Sequence, residues 1–244
     1  MHPGRQGHQG GAGVGPGAGP PPGAIGLLAV NVGRPRPLAR RRGAAVRSAI
    51  AKQPVTAAAL QLGWLNLEGD EQADLTVHGG PDKAVYAYPS EHLAWWSAEL
   101  GPEPDQELGP AAFGENLSTV GATEDEVCVG DRWRWGEALL EVSQPRSPCF
   151  KLALHRGVAD IGPRFSASGR TGWYLRVLEP GSVPVAGPVE VVARHPLGAT
   201  VAGVHAAHHD RDTPLEVLLA LLELAPLAAS WRVGFARRLQ EATA

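Results

Sequence analysis

The first sustained apolar run is Ala24-Ile25-Gly26-Leu27-Leu28-Ala29-Val30-Asn31-Val32, which reads as a buried strand. Arg34 to Arg42 is basic and holds two prolines, so it reads as a loop. From there to about Val192 the chain breaks into short apolar or alternating segments punctuated by Gly and Pro. The clearest strands are Ala84–Tyr88, Arg132–Trp135, Leu139–Val142, Trp173–Leu178 and Val189–Val192. One helix is expected among them, capped by Ser90 and continuing through His92-Leu93-Ala94-Trp95-Trp96. Many short strands favour a closed barrel, because closure removes exposed edges. The pattern changes after Pro196. Val201 to His208 reads as helical. Asp212-Thr213-Pro214 reads as a helix start, with Thr213 as cap and Pro214 at the first position, followed by Leu215–Leu222. A last helix is expected from about Pro226 to Glu241. The expected organisation is a Gly/Pro-rich disordered tail over 1–23, a β-barrel domain over 24–195 and a small three-helix domain over 196–244.

Composition narrows the function classes. Of the 244 residues 43% are hydrophobic, enough for a substantial core. A net charge of −3 lacks the basic excess of a nucleic-acid or membrane-surface binder, so neither is an expected partner. No apolar run reaches the ~18 residues of a membrane span, and the N-terminus lacks the apolar stretch of a secretory signal. A cytoplasmic protein is therefore expected. The two cysteines, Cys128 and Cys149, cannot build a disulfide framework or hold an iron–sulfur cluster, which takes about four thiolates.

Cys149 is the first candidate for chemistry. It follows Pro145 and Pro148, which set a rigid loop, and it sits between Arg146 and Lys151, cations that favour a thiolate. The plainer alternative is a packed structural cysteine, the reading adopted for Cys128 between Val127 and Val129. The segments Glu68–Asp74 and His78-Gly79-Gly80-Pro81-Asp82-Lys83 concentrate glycine, carboxylate, His and Lys before a strand; they read as a ligand-approaching backbone or as a solvated turn. Phe113-Gly114-Glu115-Asn116-Leu117 is a third, weaker signal. His205, His208, His209, Asp210 and Asp212 are potential zinc donors, but without His-Glu-x-x-His spacing. No Gly-x-Ser-x-Gly, Gly-x-Gly-x-x-Gly or Gly-x-x-x-x-Gly-Lys motif occurs, which argues against serine hydrolases, dinucleotide sites and phosphate loops.

Taken in order, Leu67–Asp74 with His78–Val85, then Phe113–Leu117, then Gly130-Asp131 running on to Gln144-Pro145-Arg146-Ser147-Pro148-Cys149, resemble the MOSC domain (the molybdenum cofactor sulfurase C-terminal domain superfamily) in its bacterial YiiM-like branch. The resemblance spans about residues 24–241. His208–Asp212 and Ser230-Trp231-Arg232 are similar to the three-helix domain that follows MOSC in that branch. It implies a mainly β, MOSC-type barrel with a few helices that binds the molybdenum cofactor (molybdopterin), with Cys149 as the thiolate ligand of molybdenum. Arg146 would pair with the pterin phosphate, and Gly114, Glu115 and Asn116 would lie in the cofactor site. Arg47 and Lys52 match a basic stretch of the family, although Arg47-Ser48 stands where the family often has Lys-Thr. His78 and Lys83 are candidates to protonate a substrate. The implied activity is reduction of N-hydroxylated compounds, a detoxification of base analogues; pyridoxal phosphate is a further cofactor association. A persulfide carrier using Cys149 and a non-enzymatic cofactor-binding module are the alternatives. With two cysteines and no nucleotide fingerprint, electrons would come from a separate protein, a flavin reductase or a small iron–sulfur carrier.

Overall fold

The computed structural model describes residues 23–41, 44–72, 79–101 and 108–243. Residues 1–22 of the expected tail over 1–23, together with Asp74 and His78, lie outside the described residues. The strands are β1 (Ala24–Val32), β2 (Arg36–Arg41), β3 (Ala44–Ser48), β4 (Gln53–Pro54), β5 (Ala59–Leu62), β6 (Val85–Pro89), β7 (Leu117–Val120), β8 (Arg132–Trp135), β9 (Ala138–Pro145), β10 (Trp173–Glu179), β11 (Gly181–Pro184) and β12 (Pro188–Ala193). The helices are α1 (Leu93–Leu100), α2 (Phe150–Arg156), α3 (Ile161–Ser168), α4 (Val201–His209), α5 (Leu215–Glu223) and α6 (Ala229–Thr243).

Seven strands close a barrel in the order β12-β8-β9-β10-β6-β7-β1, and β1 returns to β12 through Ala24↔Glu190, Ile25↔Val189 and Gly26↔Pro188. Every neighbouring pair of the ring is antiparallel except β6–β7. A parallel pair needs a long crossover, and the stretch carrying α1 supplies it. Alternation decides what enters the barrel: Trp133 and Trp135 from β8, Trp173, Leu175 and Val177 from β10, and Val189 and Val191 from β12 are all buried. Trp133 and Trp173 meet edge-on at 5.8 Å, a favoured aromatic geometry.

Strand β6 is buried on both faces, as its unbroken apolar run requires. Val85 and Ala87 join the barrel core, whereas Tyr86 and Tyr88 point into a second, aromatic cluster with Trp96, Phe113, Leu152, Ile161 and Phe165. The C-terminal helices belong to the first cluster: Leu218, Leu221, Trp231 and Phe235 pack in one continuous core with the barrel.

Several expectations need correction. Arg34–Arg42 is not wholly a loop; β2 pairs with β3 as a hairpin. Ser90 opens a 3-10 turn, Ser90–His92, and does not cap α1, whose N-cap is His92. Thr213 does not cap α5 either, because its hydroxyl donates to the carbonyls of Ala207 and Asp210. Thr200 is a true cap, accepting from the Gly203 amide at 3.0 Å. Helices α2 and α3 were not expected. No helix among the described residues is long and apolar enough to cross a membrane.

Two half-buried histidines are held neutral. Burial, aided by Arg156, pushes His155 down to about 4, and burial, aided by His209, does the same to His208. The unfolded chain, with histidines near their ordinary ~6.5, binds protons between these values that the folded chain refuses. Stability therefore falls as pH drops from about 6.5 to about 4. The thermal midpoint should follow that slope, and His155→Gln should flatten it; an equally steep slope in the variant would contradict the assignment.

Candidate active site

The cleft opens over the aromatic cluster, between the β3–β4 region and the start of α2. Its organising group is Asp70, which is 5% exposed. Oδ1 accepts from the Gly33 amide at 2.8 Å and from the Lys52 ammonium, and Oδ2 accepts from Asn116 Nδ2 at 2.9 Å. Asn116 extends the network: its Oδ1 accepts from the Tyr86 amide at 3.1 Å and its Nδ2 donates to the Asn31 carbonyl at 3.2 Å. Burial lowers the Lys52 ammonium from its ordinary value, and the Asp70 carboxylate opposes that shift.

Gly114 and Glu115 build the adjoining turn. Gly114 has φ +80°, and a Cβ there would lie 2.5 Å from Ile50 Cγ1, so a larger residue is excluded on two grounds. Glu115 is buried and does not line the cleft. Its carboxylate accepts from the amides of Ala111 and Phe113 at 2.7 and 3.0 Å and from the Ser118 hydroxyl at 2.9 Å. That bracing holds Ala111 at φ +66°, unusual for a residue with a Cβ. Burial raises the Glu115 carboxyl above its ordinary value, against those hydrogen bonds.

Arg146 is buried on the cleft floor. Its guanidinium lies 4.7 Å from the centre of the Tyr86 ring and 5.1 Å from that of Phe165, and Nη1 donates to the Tyr86 hydroxyl at 3.4 Å. Its backbone amide donates to the Gly172 carbonyl at 3.1 Å. Cation–π contact lets a permanent charge sit at this depth. Cys149 is half-buried and lines the cleft as N-cap of α2, its carbonyl accepting from the Leu152 amide at 2.9 Å. Lys52, Lys83, Arg146 and Lys151 line the same cleft against the carboxylates Asp70 and Glu71, one of which Lys52 already neutralises. Burial lowers the Lys83 ammonium, while Asp82 and Cys149 pull it back up. Cys128 differs entirely: it is fully buried, and burial followed by Asp131 pushes its thiol up to about 12.

The cleft thus brings together Lys52, Lys83, Gly114, Asn116, Arg146 and Cys149. Arg47 is exposed on β3, donates to the Pro35 carbonyl and is not itself among the residues lining the cleft, although the adjacent Ser48 is. Asp131, from the Gly130-Asp131 pair, is a brace, gripped by Arg194 at 3.0 and 2.9 Å. Sequence reasoning missed Tyr86 and Tyr174, which line the cleft as ordinary strand residues, and it did not single out Asp70 from its acidic neighbours. Among the described residues no group of three or more His, Cys, Asp or Glu side chains could hold a metal ion, so the His205–Asp212 set is not a metal site. A metal beside Cys149 would have to bring further donors with it. One thiolate plus a cationic wall suits a metal already held by a sulfur-rich, phosphate-bearing ligand.

Comparison with known proteins agrees with this architecture. The MOSC domain profile matches residues 74–190, and the YiiM-like, 3-alpha helix domain matches residues 200–242. YflK of Bacillus subtilis is 40% identical over 212 residues, 87% of this chain and 93% of that protein. A protein of Gibberella moniliformis named "Reductase" is 36% identical over 211 residues, 84% of this chain but 36% of that protein. The crystal structure of YiiM from Escherichia coli superimposes with a TM-score of 0.72 at 34% identity, covering 90% of this chain and 94% of that one.

The Asp70–Lys52 pair has 3% and 9% side-chain exposure. Removing one partner of such a pair strands the other charge, at about 3–5 kcal/mol. Asp70→Ala should therefore lose that much in denaturant unfolding. A loss under about 1 kcal/mol, the usual worth of an exposed pair, would show that the network is not the anchor described.

Proposed function

The chain belongs to the MOSC-domain family, in its YiiM-like branch, and from that premise we propose that it is a molybdenum-cofactor-dependent reductase of N-hydroxylated compounds. MOSC domains are associated with molybdenum-cofactor binding. The observation that carries the reading is the contrast between the two thiols. Cys149 borders an open, cation-lined cleft, while Cys128 is sealed in the core. The relative named "Reductase" supports the redox direction.

The bound cofactor would supply two-electron redox chemistry, and the chain supplies placement and protons. Cys149 would be its protein thiolate ligand. Lys52, Arg146 and Lys151 would hold its anionic parts, with Arg146 kept rigid by Tyr86 and Phe165. Asn116, locked by Asp70, fixes the opposite wall. The balanced reaction is R–NHOH plus two electrons and two protons to R–NH2 plus water. Breaking the N–O bond needs a proton on the departing oxygen, and Lys83, which lines the cleft with its ammonium lowered by burial, would be the donor. His78 retains its expected role as a second donor only as a sequence expectation. The two cysteines leave no iron–sulfur cluster within these 244 residues, so the electrons would arrive from a redox module outside them, a flavin reductase or an iron–sulfur carrier.

Molybdenum content of protein made in a cofactor-competent host tests the proposal. Wild type and Cys128→Ala should carry the metal in near-stoichiometric amount, and Cys149→Ala should lose it while keeping its fold. Labile sulfur on Cys149 without metal would overturn the reductase in favour of a sulfur carrier. The loaded protein should turn over with a reduced viologen dye and stay idle with NADH or NADPH alone; sustained NADH-driven turnover would reveal an overlooked nucleotide site.

A further inference from the structure

The charges of the chain are unevenly placed. Arg34, Arg36, Arg40, Arg41, Arg42 and Arg47 crowd into one segment, and no Asp or Glu precedes Glu68. Taking these six charges away from the net −3 leaves −9 on the rest of the chain. The segment forms the β2–β3 hairpin, in which Arg36 stands opposite Ser48, Pro37 opposite Arg47 and Arg40 opposite Ala45, with a bulge between Pro37 and Ala39. Opposed residues share a face and successive residues alternate. Pro37, Arg40, Ala45 and Arg47 therefore share one face, and all four are exposed. The other face carries Ser48, which is buried and lines the Cys149 cleft, with the half-buried Ala39 and Val46. Arg36 is exposed at the end of that inner face, and its Nη2 donates at 2.6 Å to the carbonyl of Ala51, between the cleft residues Ile50 and Lys52. Strand β2 also packs on α2, the helix that Cys149 caps. Burial, then Arg156, Arg146 and Arg36, hold His155 of α2 low, so the hairpin's charge is felt at that helix. The hairpin is thus a rim of the cleft, with its inner face on the site and its outer face cationic.

We propose that the exposed side of the β2–β3 hairpin, with Arg36, Arg40 and Arg47, is the docking surface for an acidic electron-carrier protein that recharges the Cys149 site. The carrier's purpose rests on the reductase reading above; its binding to the arginines does not. None of the three arginines lines the cleft. Redox carriers meet their partners through small, short-lived contacts that bury less than ~1,200 Å², and opposite charge steers the encounter. A short exposed hairpin is of that scale. Its guanidinium groups stay hydrated and are screened over about 10 Å at 0.1 M salt, so the contact releases as readily as it forms. The acidic remainder of the chain repels such a carrier elsewhere, which leaves the rim beside Cys149 as the favoured approach. Nucleic acid is the other polyanion to consider, but Gly33 to Gly63 contains no aromatic ring on which a base could stack. In each turnover two reduced carriers give up one electron apiece. The substrate takes both together with two protons, and R–NHOH becomes R–NH2 and water.

The test titrates the full chain with two acidic probes, a fluorescently labelled flavodoxin and a labelled [2Fe–2S] ferredoxin. Wild type should bind at least one of them at low salt and release it as salt rises. Arg36→Glu/Arg40→Glu, at unchanged thermal midpoint and molybdenum content, should weaken that binding by about tenfold or more. Arg36→Lys/Arg40→Lys, which keeps the charge, should retain most of it. In the loaded protein the double Glu variant should lower kcat/KM for the reduced carrier by the same factor. Its turnover with reduced viologen, a small cation that the arginines do not attract, should not fall, whereas damage to the site would slow both. Should the double variant fail to fold, Arg40→Glu alone leaves the Arg36–Ala51 bond in place and must still weaken binding by about threefold. If the protein carries no molybdenum yet binds a carrier through these arginines, the reductase reading fails and the docking surface stands. If viologen drives the reductase but the Glu variants bind both carriers as tightly as wild type, or wild type binds neither, the docking surface is overturned. Tighter binding of a short RNA duplex than of either carrier, lost in the same variants, would also overturn it.

Discussion

A single buried carboxylate holds the site together. Asp70 receives hydrogen bonds from three separate parts of the chain: Gly33 just after β1, Lys52 before β4, and Asn116 at the entrance to β7. Such a group is tolerable only when its charge and lone pairs are met, so these three segments must converge for the fold to bury it. Asn116 passes the constraint onward, to β1 through the Asn31 carbonyl and to β6 through the Tyr86 amide. One wall of the cleft is therefore as rigid as the barrel behind it.

The opposite wall owes its shape to β6. Its period-2 alternation gives Val85 and Ala87 to the barrel and Tyr86 and Tyr88 to the aromatic cluster outside it. That outer cluster is what α2 and α3 pack on, through Leu152, Ile161 and Phe165. Cys149 begins α2, so its position follows from the packing of Leu152 and Phe165. Arg146 is sandwiched in the same layer, where ring faces replace part of the hydration its charge has lost. The chain accepts a buried cation there without a carboxylate partner in the hydrogen bonds described for its side chain, which leaves its charge directed at the cleft.

The barrel was largely legible in the sequence because its strands carry the periodicity that burial demands. Trp133 and Trp135, or Leu175 and Val177, alternate with polar neighbours and could hardly lie elsewhere. The C-terminal helices were equally clear, through the apolar run Leu215–Leu222 that covers the core. What escaped had no such signature. The β2–β3 hairpin pairs only with itself and is mostly exposed, so nothing in its basic sequence alternates. Helices α2 and α3 start at Cys149 and Asp160 without side-chain caps, and tertiary packing rather than local preference forms them. In the site, Cys149 and Cys128 were separable by their neighbours alone. The exposure of Arg47 on the hairpin follows from which strand pairs with which, and no periodicity carries that. Glu115 stood out as a charged residue in a promising turn, yet three local donors consume it.

The C-terminal helices do more than cover apolar surface. The Ala228 amide, just before α6, donates to the Ser143 carbonyl at 2.9 Å, and Leu221, Trp231 and Phe235 continue the barrel core without a break. Ser143 immediately precedes Gln144, and two residues further along the same chain stands Arg146. Docking of the helices thus steadies the end of β9, where Gln144 faces a hollow between barrel and helices and Arg146, just past the strand, faces the Cys149 cleft. This second hollow, between the barrel and the helices, exists only while α4 and α6 stay on the barrel, since His208, Ser230 and Trp231 form part of its wall. Because apolar burial in the shared core drives that docking, any ligand seated between barrel and helices must stabilise the docked state. The same contact that completes the core also completes the second chamber, which ties the stability of the helical region to the geometry around Cys149.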